Sequence, residues 1–199
     1  TNASIINTTT GIGLNIVQNG GASGPGSITI ASNGSITGGI NAVNNSVGKI
    51  DINVTGDVVS KSGAGIVASD TIGTGMDIKT NKIISGSWGV LADHNGTGDV
   101  TVITRDTVSS ADTGIKVTNS STGKTIITAG DIVTSLVGID VTNNFSSTGL
   151  VIDATNISTS NNKIGRTSAG ILAANNGIGD TKITGNWINR CTRLWDKCT

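Results

Sequence analysis

One phrase returns seven times along this chain, and it limits the fold more than any other feature. It runs Gly, apolar, any residue, small apolar, any residue, then usually Asn or Asp. The clear copies are Gly39-Ile40-Asn41-Ala42-Val43-Asn44, Gly65 to Asp70, Gly89 to His94, Gly114 to Asn119, Gly138 to Asn143 and Gly170 to Asn175. A weaker copy, Gly13 to Gln18, precedes them. The leading glycines are spaced 26, 26, 24, 25, 24 and 32 residues apart. Self-similarity at such a period marks an architecture in which each repeat buries its apolar face against its neighbours.

Within each period the apolar residues alternate, as half-buried strands require. A second strand follows the phrase after a glycine-rich turn, as at Ile28-Thr29-Ile30, Ile50-Asp51-Ile52, Met76-Asp77-Ile78 and Val100-Thr101-Val102. A third begins near Ile36, Val58, Ile83, Val108, Ile132 and Ile157. The intervening segments are too short and too rich in glycine for a helical crossover. Composition agrees. All 13 acidic residues are Asp, Gln18 is the sole Gln, and Ile, Val and Thr abound, so good helix formers are scarce. The expectation is an all-β, single-stranded parallel β-helix of about seven coils of ~25 residues. Three short strands make each coil, and strands in successive coils lie ~4.8 Å apart. A right-handed coil is expected, the common sense for parallel connections.

Stacking places Leu14, Ile40, Ile66, Val90, Ile115, Ile139 and Ile171 in one inward column. Beside it stand Ile16, Ala42, Ala68, Ala92, Val117, Val141 and Ala173. The leading Gly of each phrase is expected to turn a corner with positive φ. Asn44, Asp70, His94, Asn119, Asn143 and Asn175 form a polar column, expected to bond rung to rung and to the turn backbone. His94 reads as one rung of it, without the oriented partner that a catalytic histidine needs.

The repeat body is assigned to residues 1–185. Residues 186–199 are an atypical tail, holding two of the three Trp, both Cys and four of the 26 charged residues. It reads as a cap, a truncation or a frameshift remnant. Cys191 and Cys198 make no disulfide framework. Thirteen basic residues balance thirteen acidic ones, so nothing attracts nucleic acid or anionic lipid at long range. No apolar run approaches the ~18 residues that span a bilayer, and no signal peptide is legible at the start.

Candidate binding positions are few. Val67 and Leu91 point outward on adjacent coils near Trp88 and form an apolar patch, for an overlying loop or a partner. Lys116 and Asp140 are outward neighbours suited to pairing. The longest step contains a predicted loop with Lys163 and Arg166, and loops on a solenoid rim often carry binding. For catalysis the best set is Asp57, Lys82, Asp106 and Asp131, expected to stack before the third strand. There Asp106 above Asp131 would raise one carboxyl by like-charge repulsion. A solvated edge ladder explains the set equally well, and sugar-cleaving sites favour aromatic platforms where this body has only Trp88. The period of ~25 does not fit nine-residue calcium repeats, and no cofactor or metal is expected. Nine Asn-x-Ser/Thr sequons follow from the abundance of Asn, Ser and Thr.

The phrase Gly-Ile-x-Val-x-Asn at Gly114 to Asn119, then Gly130-Asp131-Ile132-Val133-Thr134-Ser135 and its echo Gly56-Asp57-Val58-Val59-Ser60, resembles the passenger region of type V autotransporters of Gram-negative bacteria. The resemblance covers about residues 5–185. It implies export across the outer membrane and display on the bacterial surface or secretion. It implies action as an adhesin or stalk toward host cells, extracellular matrix or other bacteria, without catalysis. It also implies an export signal and a C-terminal outer-membrane β-barrel in the full-length protein, so this chain is expected to be a passenger fragment or the product of a degraded gene. The competing expectation is a polysaccharide lyase or hydrolase using stacked Asp residues.

Overall fold

The computed structural model describes residues 13–21, 26–160 and 168–185. They form a parallel β-solenoid of about six turns of ~25 residues, with no helix among them. The seven phrases become seven strands of one sheet, stacked in sequence order: Leu14–Gly21, Ile40–Ser46, Ile66–Asp70, Val90–His94, Ile115–Asn119, Val137–Asn143 and Ala169–Asn175. Their register is the one the phrase dictates. Ile40 pairs with Ile66, Val90 with Ile115 and Ile139 with Ile171.

The second and third strands of each turn share another sheet. In the early turns they are separate, as in Ile50–Val54 and Val58–Ser60, or Val100–Thr104 and Val108–Ser110. In the later turns they run together as Lys124–Thr134 and Gly149–Thr159. The bend between the two legs also varies in length, independently of the merging, since only residues 81 and 82 lie between the separate strands Met76–Thr80 and Ile83–Ser85. Three residues, 105 to 107, separate the paired positions Thr104 and Val108, but only two, 130 and 131, separate their partners Ala129 and Ile132.

Inward side chains alternate strictly, with the burial pattern buried–intermediate–buried along Ile66–Asp70, Val90–His94 and Ile115–Asn119. Ile40, Ile66, Val90, Ile115 and Ile139 meet Val58, Ile83, Val108, Ile132 and Ile157 in one continuous core. Each such side chain contributes about 1.5–3 kcal/mol on burial. Ala42, Ala68 and Ala92 lie beside the large column, so wide and narrow rungs fill a thin interior at normal density.

The corner glycines serve a different purpose from the expected one. Of the leading glycines in the described residues, only Gly39 has positive φ, at 80°. The others are required by close approach. A Cβ on Gly65 would lie 2.7 Å from the Gly89 carbonyl oxygen and 2.5 Å from Ile83 Cγ2, and one on Gly114 would lie 2.5 Å from the Gly138 oxygen. Successive turns therefore touch backbone to backbone at this corner, and any side chain would force them apart.

Candidate functional site

The polar column is the most organised chemistry in the fold. Asn44, Asp70, His94, Asn119 and Asn143 are all fully buried at the end of the first sheet, facing the glycine-rich turns. Burial of amides and charges is tolerated only with partners, and the turns supply them. Asn44 donates to the carbonyls of Ser46 and Gly48, and to Asp70 Oδ1 at 3.3 Å. Asn119 donates to Thr125 Oγ1 at 2.9 Å, and Thr125 donates to Asn143 Oδ1 at 2.6 Å. Asn143 donates to the Gly149 carbonyl and to Asn175 Oδ1. Each rung thus closes its own turn and ties it to a neighbouring one.

His94 does have an oriented partner, contrary to expectation. Its Nδ1 lies 3.1 Å from Asp70 Oδ2, with both side chains wholly buried. The separation suits an ion pair, but the two atoms are off the line of a straight hydrogen bond. Its Nε2 lies 3.0 Å from the Thr97 carbonyl oxygen. A carbonyl only accepts, so Nε2 carries a proton. Asp70 Oδ1 accepts from the Gly73 N–H at 2.8 Å. This carboxylate–imidazole pair sits inside the rod, walled from solvent, and acts on the turns that it closes.

The outward columns hold the other candidates. Val67 and Leu91 are register neighbours, both half-buried. Trp88 stands at the corner one residue before Gly89, 36% exposed, its carbonyl accepting from the Gly65 N–H. Sequence reading did not anticipate a depression of about 330 Å³ one turn away, lined by Gly38, Asn41, Ser60, Ser62, Ala64 and Val67. Small residues leave that space at the corner. Lys116 Nζ donates to Asp140 Oδ2 at 3.1 Å, so the expected pair forms. Asn41 donates to Asn15 Oδ1 one turn back, at 2.8 Å. Lys163 and Arg166, and the tail of residues 186–199, lie outside the described residues.

The acidic set does not stack as expected. The extra residue at 105–107 puts Thr107 rather than Asp106 beside Asp131. Asp106 Oδ1 accepts from the backbone and hydroxyl of Thr107. Asp131 Oδ1 accepts from Asn156 at 2.8 Å, and Asp57 Oδ1 from Asn81 at 3.1 Å. Lys82 precedes Ile83, and its carbonyl accepts from the Val58 N–H.

A charged cluster that sequence reading passed over sits on the second sheet. Asp51 and Asp77 are register neighbours of like sign. Lys49 Nζ reaches Asp77 Oδ2 at 2.7 Å, and Lys79 approaches the same oxygen at 3.7 Å. Burial pushes the Asp77 carboxyl up. The hydrogen bond and charge of Lys49, the charge of Lys79 and a hydrogen bond from Thr101 outweigh it and hold the carboxyl below its ordinary value. The signal was present, since Lys49 immediately precedes the second strand Ile50–Val54 and Lys79 lies two residues after Asp77 within the next, Met76–Thr80.

Comparison with protein-family models, with curated proteins and with solved structures finds no match. The chain is a parallel β-solenoid, and the geometry of its own residues carries any functional argument.

Proposed function

We propose that this chain is part of a surface-displayed or secreted passenger of the autotransporter type, acting as an adhesive or structural rod without catalysis. The observation that carries this reading is the split between the two sides of each strand. Inward positions are fixed by packing and by the buried polar column. Outward positions form polar pairs across adjacent turns, Asn41–Asn15 and Lys116–Asp140, on either side of Val67 and Leu91. A stiff backbone ladder that holds side chains at regular spacing suits display, and extended solenoid faces are common binding surfaces. On this reading the rod meets host cell surface, extracellular matrix or other bacterial cells, and a C-terminal outer-membrane barrel completes the full-length protein.

The test pairs two assays on the purified chain. One measures retention on immobilised matrix proteins, on cells and on itself. The other measures chain cleavage over a panel of acidic polysaccharides. Retention without cleavage supports the rod. Cleavage that Asp106→Asn or Asp131→Asn abolishes overturns it in favour of a polysaccharide-degrading enzyme.

A further inference from the structure

The depression beside Val67 holds polar groups that the fold itself leaves unused. Ile40, Ile66 and Val90 stand in one register, so Gly38, Ala64 and Trp88, each two residues earlier, occupy one corner column. Gly38 and Ala64 are small, and a space of about 330 Å³ opens over them. That lies at the lower end of small-ligand sites, about 300–1,000 Å³. Ser60 lines the space and is only 5% exposed. Its register partner Ser85 donates to the Ser87 carbonyl at 3.5 Å, and Ser110, one turn further, donates to Thr134 Oγ1 at 3.1 Å. Among the described residues, Ser60 Oγ has no such partner. It lies toward Gly63, 3.4 Å from where a Cβ on that residue would be. A hydroxyl so far buried is costly without a hydrogen bond, and here the bond comes from whatever fills the depression. Asn41 is prepared as well. Its Nδ2 is committed to Asn15 Oδ1 at 2.8 Å, which fixes the amide and leaves Asn41 Oδ1 to accept. Ser62 adds an exposed hydroxyl, and Ile40 and Val67 supply apolar surface.

We propose that this depression binds one neutral sugar ring of a glycan. The proposal rests on the adhesive reading and names the chemical group that such a rod would hold. A pyranose carries hydroxyls around its rim and C–H groups on its faces. The hydroxyls match Ser60 Oγ, Ser62 Oγ and Asn41 Oδ1, and a C–H face matches Ile40 and Val67. An aliphatic side chain in the same place would leave Ser60 and Asn41 without partners, which costs free energy that a sugar does not lose. None of the lining side chains is charged, so an acidic or basic group gains no counter-ion there. The lining also holds no acid or base to cleave a glycosidic bond, so the ring is held and not hydrolysed. Trp88 is exposed and stands one rung past Ala64, about 4.8 Å further along the axis, an aromatic surface within reach of a second ring.

The test titrates the isotope-labelled full chain with the methyl glycosides of glucose, galactose and mannose and with N-acetylglucosamine, and follows the backbone amide signals. At least one of these sugars should shift residues 38–41 and 60–67 and saturate in the millimolar range. Ser60→Ala should weaken that binding about three- to tenfold, the loss of one neutral hydrogen bond. Gly63→Val, whose side chain enters the depression, should abolish it, with the strand signal in circular dichroism retained in both variants. No saturable shift with any of the four sugars overturns the proposal, and so do shifts confined to other residues. Tighter binding of N-acetyl-leucine amide or of glucuronate at the same residues overturns it too, because the occupant would then be apolar or acidic. If Gly63→Val unfolds the chain, Ser60→Ala decides, and a folded Ser60→Ala chain that binds the sugars as before refutes the site. Sugar binding at these residues without retention on cells or matrix would refute the adhesive reading and leave the site standing. Retention without sugar binding would refute the site and leave the adhesive reading standing.

Discussion

Replacing His94 tests the buried polar column most directly. Asp70 Oδ2 faces the His94 ring at 3.1 Å, and both side chains have no exposed surface. The other carboxylate oxygen is held by the Gly73 N–H and the Asn44 amide. In His94→Ala, Asp70 keeps those two donors but loses the group opposite Oδ2, and a ring-sized space opens in a dry interior. Removing one member of a buried pair costs about 3–5 kcal/mol. For a chain of this length that lowers the thermal midpoint by roughly 6–20 °C. The column itself suggests the rescue. Asn119, on the next turn, is a neutral rung that donates to the Gly123 carbonyl and to Thr125. The turn after His94 has the same length, so the double change Asp70→Asn with His94→Asn should fall within about 1 kcal/mol of the original, because a satisfied neutral pair avoids the cost of burying charge. Guanidinium titrations followed by far-UV circular dichroism measure all three, with the slope checked for loss of cooperativity along the stack. A loss below about 1 kcal/mol for His94→Ala refutes the reasoning, and so does a double variant as weak as the single one.

Further outcomes follow from the same geometry. A Cβ on Gly123 would collide with the backbone of Gly98 and Asp99, so Gly123→Ala should cost more than the usual 1–3 kcal/mol of overpacking. Gly34 has open space around its Cα, so Gly34→Ala should be neutral or add about 0.4–1 kcal/mol, read from the same titrations. Asp77 has a folded pKa below its ordinary 3.8, so its contribution is present above that value and is lost as pH falls through the folded pKa. Asp77→Asn should flatten the acid limb of a stability–pH curve below about 4, by less than 1 kcal/mol because Lys49 is partly solvated. An unchanged acid limb would deny the Lys49 pairing a thermodynamic role. Ile115→Ala, in the core, should cost about 2–5 kcal/mol, whereas Ile84→Ala, on an outward position 38% exposed, should cost under about 1 kcal/mol, both by thermal melts.

The first sheet could be read from the chain because its phrase fixes register by itself. Shifting Ile66 by one residue would turn Ile66, Ala68 and Asp70 outward together, so the pairing with Ile40, Ala42 and Asn44 has no close competitor. The second sheet was harder, because the bend between its two legs varies by one residue. That single residue moves Asp106 out of line with Asp131, and it was countable in the sequence, because Asp106 stands two residues before its landmark Val108 whereas Asp131 stands one before Ile132. The glycines were misread for a related reason. A glycine needed for positive φ and one needed for backbone contact look alike in sequence, and only the neighbouring turn separates Gly39 from Gly65. The partner of His94 was legible after all. The column that placed His94 also placed Asp70 one rung before it, 24 residues upstream, and a histidine read only along its own strand has no partner.

Those successes and misses follow from what each position is required to do. Corner glycines forbid any side chain, inward aliphatics fill a thin core, and the buried Asn, Asp and His rungs lock each turn to the next. These positions specify the solenoid, and they leave little freedom for recognition. On the proposed display reading, chemistry toward a partner falls to the outward columns, where Asn15, Asn41, Val67, Leu91, Lys116, Asp140 and Leu172 succeed one another in one register. On that reading Val67 and Leu91, half-buried register neighbours, form the apolar part of the binding face. Exchanging Val67 and Leu91 for Ser should thus leave the melting curve within about 2 °C while weakening retention on whichever surface the chain binds. A matched fall in both would move these two residues from the binding face into the structural set.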